Sequence, residues 1–208
     1  MIINADPLNL IVCGVGGQGN ILISRMIGRI LSGKNYYVTI GETFGAAQRG
    51  GAVYSSMRIS KKRYYGPLIP KGRAHIIAGL EPLETLRILT EYGNENVMTV
   101  TNTKPLYPVG TLSGRAEYPD LDTLKGTINS LSRSAWMVNV TQMASNLGVP
   151  IAANIILLGS LVGIGKMPLD SAEVEKEIRS SFRGTAVELN LKALQMGNEA
   201  VLALASGL

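Results

Sequence analysis

A glycine-rich segment near the start of the chain has the composition and spacing of a phosphate-binding turn. Gly14, Gly16 and Gly19 fit the pattern G-x-G-x-x-G, whose glycines permit a tight turn, backbone approach to a phosphate, and close helix packing. Amides at the N-terminus of the following helix would attract an anion. The candidate cofactor-binding residues of this loop are Gly14, Gly16, Gly17, Gln18 and Gly19. A purely architectural turn fits the same glycines, so the pattern alone is weak evidence for NAD binding.

Residues 41–51 form a second glycine-rich segment, which follows a predicted strand. We expect it at the carboxyl edge of a parallel sheet, beside the first loop, where open α/β sheets bind ligands. Arg49 offers a planar guanidinium to a carboxylate or phosphate, and Glu42 stands about where an acid that binds a ribose would sit. The candidates here are Glu42, Gln48, Arg49, Gly50 and Gly51. The alternative is a surface loop whose arginine has no ligand.

The two segments punctuate an alternating pattern of strands and helices. Residues 8–13 are a short apolar run, residues 21–31 place apolar side chains at helical spacing, and residues 36–40 complete a βαβ candidate. Further strands are predicted at 53–59, 74–79, 97–101 and 136–140, and helices at 81–89, 120–131, 141–147, 154–161, 171–179 and 185–204. The pattern predicts one α/β domain over residues 1–208, Rossmann-like, with a mostly parallel sheet, helices on both faces and a helical C-terminal region.

Composition narrows the classes of function. With 208 residues, 46% hydrophobic and 17% charged, the chain can form one ordinary globular domain. No stretch approaches about 20 uninterrupted apolar residues, and the first residues lack a signal-peptide pattern, so we expect a cytoplasmic protein without a membrane span. The net charge is +5, and the densest basic cluster is residues 61–63. No nucleic-acid motif accompanies it, so we expect a solvated hairpin and no nucleic-acid partner.

The chain has a single cysteine, Cys13, and a single histidine, His75. One cysteine cannot form an internal disulfide or hold a four-cysteine zinc or iron–sulfur site. We therefore assign no metal ligand and no catalytic residue to this chain. Cys13 is expected to be a buried structural thiol and His75 to have a packing or surface role. Glu81 and Glu84 open a predicted helix, where acids favour the helix dipole, and Trp136 is expected in the core.

The order of the motifs adds a resemblance to a known family. Residues 14–19 (GVGGQG) followed by residues 48–51 (QRGG) resemble the gamma-type subunits of 2-oxoacid:ferredoxin oxidoreductases. The Gln-Arg-Gly-Gly form is closest to the beta subunit of the indolepyruvate branch. The likeness continues in the family's order through residues 66–70, 80–87, 102–103, 118–119, 157–159 and 188–193. Asn20 departs from the family, which usually has an aliphatic residue there.

The resemblance implies a role in oxidative decarboxylation. Enzymes of this family convert a 2-oxoacid to an acyl-CoA and pass electrons to ferredoxin, using thiamine diphosphate and 4Fe-4S clusters. Those groups are expected on a large partner subunit, because one cysteine cannot hold a cluster. This chain is expected to complete the assembly and the active-site wall, to meet ferredoxin only through the complex, and to be inactive when isolated, with a homodimer as one arrangement. The resemblance also implies coenzyme A as co-substrate, and this chain is expected to help receive it, because its phosphates suit the glycine loop and Arg49.

Two rival functions fit parts of the same sequence. A stand-alone NAD- or NADP-dependent oxidoreductase would use the glycine pattern and Glu42, but no separate substrate domain or obvious proton donor accompanies them. A non-catalytic scaffold module that binds a nucleotide would need neither a substrate domain nor a proton donor. Tight dinucleotide binding by the isolated chain would favour the first rival, and co-purification with a large thiamine-dependent chain would count against the second.

Overall fold

The computed structural model describes residues 2–44, 52–106 and 117–206. The strands are β1 (Leu8–Val15), β2 (Tyr37–Phe44), β3 (Ala52–Ser60), β4 (Ile76–Gly79), β5 (Met98–Asn102) and β6 (Ser134–Val138). The α-helices are α1 (Asn20–Gly33), α2 (Pro82–Tyr92), α3 (Leu121–Ser130), α4 (Val140–Asn146), α5 (Ala153–Gly163), α6 (Ser171–Ser181) and α7 (Thr185–Ser206). A 3-10 turn at Pro150–Ala152 joins α4 to α5.

The described strands form one mixed sheet in the order β2-β3-β1-β4-β5-β6. β1, β4, β5 and β6 are parallel neighbours, and β3 runs antiparallel to both β1 and β2. Alternate side chains of a strand point to opposite faces. Leu10 and Val12 therefore join a core built with α1, α5 and α7, whereas Ile11 and Cys13 join a smaller core built with α2 and α3. The predicted α/β fold with a mostly parallel sheet, helices on both faces and a helical C-terminal region is confirmed.

The predicted βαβ unit of β1, α1 and β2 is present in split form, because β3 lies between the two parallel strands and runs antiparallel to both. β3 pairs with β1 from Leu8↔Ile59 to Val15↔Ala52 and with β2 from Tyr37↔Ser60 onwards. The side chains of β3 are largely buried, whereas those of β2 are partly exposed, as suits an edge strand. The predicted loop at 41–51 also begins too early, since β2 continues to Phe44. The rest of that loop lies outside the described residues.

Local capping signals set several helix starts as predicted. The carboxylate of Glu81 accepts a hydrogen bond from the Glu84 amide at 2.8 Å, and Pro82 follows it at the first helical position of α2. Asp120 caps α3 in the same way through the Thr123 amide at 2.9 Å.

Trp136, which was expected in the core, is only half-buried on β6, although it packs against the larger core.

The C-terminal region is anchored by a close crossing of α5 and α7. A Cβ atom added at Gly159 would collide with the carbonyl of Leu194, and one added at Gly197 would collide with the carbonyl of Ile156. Glycine at these two positions lets the helix backbones touch, and α5 is buried along nearly all of its length. Among the described residues, no helix is both long enough and apolar enough to cross a membrane.

Candidate functional site

The carboxyl ends of β1, β4, β5 and β6 meet at one edge of the sheet. After β1 the chain builds β2 and β3 on one side, and it then crosses to build β4, β5 and β6 on the other. The boundary between β1 and β4 is therefore a topological switch point, where open α/β sheets form a ligand crevice. The predicted glycine loop lies at this boundary, between the end of β1 and the start of α1.

Glycine is favoured at positions 14, 17 and 19 of this loop for different structural reasons. Gly17 and Gly19 adopt φ values of +99° and +90°, a region that favours glycine. A Cβ atom at Gly19 would also collide with the buried carboxamide of Asn154. At Gly14 a Cβ atom would lie 2.6 Å from Oε1 of Gln18. Around Gly17 nothing lies within 4 Å of an added Cβ atom, so this residue alone of the three has open space beside it.

The side chain of Gln18 closes the loop from inside. Its Oε1 accepts a hydrogen bond from the backbone amide of Val15 at 2.7 Å, and its Nε2 donates to the carbonyl of Leu80 at 3.1 Å. In a dinucleotide-binding loop the glycine over which Gln18 folds is where the backbone makes its tight turn toward the pyrophosphate. Here that position beside Gly14 is filled by the protein's own carboxamide, which joins the end of β1 to the end of β4.

A second buried amide extends this connection to β5 and β6. Asn102, the last residue of β5, is fully buried, and its Nδ2 donates to the Leu80 carbonyl at 3.0 Å and to Oγ1 of Thr141 at 2.8 Å. The Leu80 carbonyl therefore accepts from both Gln18 and Asn102. The Leu80 carbonyl and the Asn102 side chain together link the carboxyl ends of β1, β4 and β5 to the helix that follows β6.

Two cavities flank the glycine loop, and Gly17 lines both. The first, of about 250 Å³, lies on the β3 side and includes Gly16, Asn20 and Val53 in its walls. The second, of about 230 Å³, lies at the switch point. We call it the switch-point cavity; its walls include Gly17, Gln18, Leu80, Lys104, Thr141 and Ile151. Lys104 is exposed and forms no ion pair within the described residues.

Asn20 is a polar residue in a buried position, and a hydrogen bond satisfies part of its side chain. It is buried at the start of α1, and its Nδ2 donates to the carbonyl of Val53 at 3.0 Å. Its Oδ1 has no hydrogen-bond partner in the described part of the chain. The bond ties α1 to the strand that separates β1 from β2.

The structure places Glu42 away from the glycine loop. Glu42 pairs with Ser55, and Ser55 pairs with Val12, so Glu42 is level with the middle of β1 rather than with its end. It is also two strands away, roughly 10 Å across the sheet. Its carboxylate lies 3.5 Å from the guanidinium of Arg25. β3 lies between Glu42 and the glycine loop, so Glu42 is not in the position beside the loop that the sequence predicted.

The Arg-Gly-Gly segment cannot be placed in the same detail. Gln48, Arg49, Gly50 and Gly51 lie outside the described residues. The described chain resumes at Ala52, which pairs with Val15, the last residue of β1.

The other polar groups near this edge are buried, or are engaged in capping and pairing within the fold. The Cys13 thiol is buried, and burial raises its pKa far above the usual value, so it is not a thiolate nucleophile. Glu81 caps α2 and accepts a hydrogen bond from the Tyr118 hydroxyl. Burial raises the pKa of Glu84, opposed by Arg87 at 2.8 Å. Across residues 2–44, 52–106 and 117–206, no group of three or more His, Cys, Asp or Glu side chains is arranged to hold a metal ion.

At the opposite end of β1, His75 accepts a backbone hydrogen bond. Its Nδ1 lies 2.9 Å from the amide nitrogen of Asn9, so the imidazole must be unprotonated at this atom. Burial lowers the pKa of His75, and the nearby positive charge of Arg73 lowers it further. The histidine therefore has a packing role far from the switch-point cavity.

Comparison with known sequences gives a consistent family. The sequence model described as pyruvate ferredoxin/flavodoxin oxidoreductase matches residues 9–200. An indolepyruvate oxidoreductase subunit IorB from Archaeoglobus fulgidus is 38% identical over 195 residues, covering 93% of this chain and 96% of the relative. The protein of the same description from Pyrococcus horikoshii is 32% identical over 193 residues, covering 92% and 95%.

Solved structures agree on the fold. The gamma subunit of a keto/oxoacid ferredoxin oxidoreductase from Geobacter sulfurreducens superimposes with a TM-score of 0.67 at 23% identity, over 94% of this chain and 98% of that one. A 2-oxoglutarate:ferredoxin oxidoreductase from Magnetococcus marinus gives a TM-score of 0.75 at 18% identity, over 96% of this chain and 32% of that chain. The same fold therefore occurs both as a separate chain and as part of a longer one.

Proposed function

This chain belongs to the pyruvate ferredoxin/flavodoxin oxidoreductase family, and from that premise we propose that it is the small subunit of an indolepyruvate-type 2-oxoacid:ferredoxin oxidoreductase. The observation that carries the proposal is the near full-length match, on both sides, to subunits described as indolepyruvate oxidoreductase IorB. The assembled enzyme oxidatively decarboxylates an aryl pyruvate, joins the acyl group to coenzyme A and passes electrons to ferredoxin.

The cofactors of that reaction belong on the partner subunit. A 4Fe-4S cluster needs several thiolates, and this chain has only Cys13, which is buried as a neutral thiol. Thiamine diphosphate on the partner would supply the carbanion chemistry. What remains for this chain is to bind, orient and enclose, which suits a rigid sheet edge with rigidly connected loops.

The candidate site residues fit a subsite for the anionic part of coenzyme A. Gly17 has open space around it, and Lys104, which forms no ion pair within the described residues, lines the neighbouring cavity. Arg49, with Gln48, Gly50 and Gly51, belongs to the segment whose next residue pairs with the end of β1. We assign Arg49 and Lys104 to phosphate groups, and Gly14, Gly16, Gln18 and Gly19 to holding the loop in shape.

The stand-alone dinucleotide enzyme is less well supported. Gln18 fills the space over Gly14, and Glu42 is paired with Arg25 two strands away from the loop. Both features that suggested NAD are thus occupied by contacts within the protein. Saturable NAD or NADP binding by the isolated chain would reverse this preference.

The substrate class is tested by co-expressing the chain with its large partner subunit. The purified complex is assayed for viologen reduction with a panel of 2-oxoacids that includes aryl pyruvates, pyruvate and 2-oxoglutarate. We expect aryl pyruvates to give the highest kcat/KM, and the reaction to require coenzyme A. Equal or higher kcat/KM with pyruvate or 2-oxoglutarate would overturn the indolepyruvate assignment.

The coenzyme A subsite is tested in the same complex by Arg49→Ala and Lys104→Ala. Loss of one phosphate contact should raise the KM for coenzyme A roughly tenfold while the KM for the 2-oxoacid stays unchanged. Arg133→Ala is the matched control, because Arg133 is exposed at the amino end of β6, at the opposite edge of the sheet. An unchanged KM for coenzyme A and unchanged turnover in both variants would remove the subsite from this chain.

A further inference from the structure

Positive charge and tyrosine rings gather at the amino edge of the sheet, opposite the switch-point cavity. They lie on the end of β3, on the loop that follows it, and on the start of β2. We call these residues the basic tyrosine surface: Tyr36, Tyr37, Arg58, Lys61, Lys62, Arg63, Tyr64 and Tyr65. We propose that this surface docks an acidic face of the large partner subunit, an inference that rests on the proposed function for the existence of that subunit.

The cations of this surface have no acidic partner among the described residues. Arg58, Lys61, Lys62 and Arg63 form no ion pair within the described residues. The nearby carboxylate of Asp6 accepts a hydrogen bond from the backbone amide of Lys61 at 3.3 Å and forms no ion pair with the Lys61 ammonium. Four unpaired like charges close together repel one another, and an acidic partner would relieve that repulsion.

Tyrosine rings hold the cations in place without neutralising them. The guanidinium carbons of Arg58 and Arg63 lie 4.8 Å and 4.9 Å from the ring centre of Tyr65. The ammonium of Lys61 lies 5.3 Å from the ring centre of Tyr36. These cation–π contacts order the side chains while their charge remains available to a partner.

The backbone beneath the surface is also fixed. The hydroxyl of Ser60 accepts hydrogen bonds from the backbone amides of Lys62, at 2.9 Å, and Arg63, at 3.3 Å. Arg58 donates to the carbonyls of Gly66 and Leu68, each at 3.3 Å. Residues 61–63 are exposed, as the sequence predicted for this cluster, but a surface that is already ordered loses little conformational entropy when it binds.

An apolar cavity adjoins the charged groups and gives an interface its core. It measures about 540 Å³, and its walls include Ile2, Tyr36, Ile59, Lys61 and Pro168. Exposed apolar side chains rim this edge, with Ile2 51%, Tyr64 69% and Leu68 74% exposed. Tyrosine and arginine around an apolar centre are typical of protein–protein interfaces.

The chemistry favours an acidic protein over the other occupants. A second copy of this chain would oppose like charges. Single-stranded nucleic acid binds through bases stacked on free aromatic faces. Tyr65 is already covered by two guanidiniums, and the exposed Tyr64 is in an edge contact with Tyr37. The surface lies at the amino end of β1, roughly 25 Å from the glycine loop at its other end, so docking would leave the switch-point cavity open.

The proposal is tested by measuring the affinity of this chain for the purified large subunit with Lys62→Glu/Arg63→Glu. Lys176→Glu/Lys192→Glu, at exposed positions on α6 and α7, is the control and changes the net charge equally. At low salt we expect Kd to rise roughly tenfold or more for the first variant and less than about twofold for the control, and the dependence of Kd on salt to weaken only in the first. Unfolding curves check that both variants fold.

Equal Kd values for the wild type and the first variant would overturn the proposal. So would a wild-type chain that binds a single-stranded oligonucleotide as tightly as the large subunit, or a homodimer in sedimentation that only the first variant dissociates. If the wild-type chain does not associate with the large subunit at all, the proposed function itself fails. Association that survives the first variant unchanged sinks the docking surface alone.

Discussion

The two ends of β1 use the same device for different purposes. At the carboxyl end, Gln18 accepts a hydrogen bond from the amide of Val15 at 2.7 Å. At the amino end, His75 accepts a hydrogen bond from the amide of Asn9 at 2.9 Å. One acceptor is a carboxamide that cannot titrate, and the other is an imidazole that can. The carboxyl end is flanked by cavities on both sides of Gly17, whereas the amino end adjoins the basic tyrosine surface. This contrast supports the two proposals, a subsite for coenzyme A at the carboxyl edge and a protein-docking surface at the amino edge, where the cavity of about 540 Å³ adjoins the charged groups.

The comparison predicts the largest cost for crowding the carboxyl end. Gly19→Ala should lower the free energy of unfolding by about 3 kcal/mol, because it adds both left-handed strain and a collision with Asn154. Gly17→Ala adds the strain without the collision and should cost about 1 kcal/mol. Gly66→Ala, in open space at the amino end, should change the value by less than about 0.5 kcal/mol. Urea denaturation of the three variants measures the series, and equal losses at Gly19 and Gly17 would show that crowding is not the cause.

Removal of the two acceptors compares the ends directly. Gln18→Met leaves the buried amide of Val15 without a partner and should cost about 2 kcal/mol. His75→Phe should cost about 1 kcal/mol, because His75 is only half-buried and water can replace it. Hydrogen exchange should speed up at Val15 in the first variant and at Asn9 in the second. Exchange that changes at neither amide would contradict the two bonds.

The smallest expected effect is a difference in acid sensitivity. The folded pKa of His75 is lowered, so the unfolded chain binds a proton more readily, and stability falls as pH drops from about 6.5 toward the folded pKa. Above about 6.5 the contribution is fully present. In His75→Gln the slope between pH 6.5 and 5 should be smaller, whereas Gln18→Met should keep it. Identical slopes in the wild type and His75→Gln would assign acid sensitivity to other groups.

Features that are determined by residues close together in the chain could be predicted. The strand, glycine turn and first helix follow from an apolar run, glycines and helical spacing, and the starts of α2 and α3 follow from Glu81-Pro82 and Asp120. The single cysteine limits metal chemistry at once. These conclusions depend on neighbours in the chain, and packing did not alter them.

Features that depend on partner choice between distant segments could not be predicted. Nothing local states that β3 rather than β2 pairs with β1, and this one choice moves Glu42 away from the loop. The contact of Gln18 with Leu80, and the cavity whose walls include both Lys104 and Thr141, also need the completed sheet. A usable signal was Asn102, a polar residue directly after an apolar strand, since such residues lie at the ligand edge of parallel sheets.

We propose that this chain completes a 2-oxoacid oxidoreductase that its partner cannot form alone. The most direct measurement titrates the purified large subunit with this chain and follows coenzyme A-dependent viologen reduction with an aryl pyruvate. The account predicts negligible rates for either chain alone and a rate that rises with added chain to a plateau. Full activity of the large subunit alone, unchanged by any amount of this chain, would contradict it.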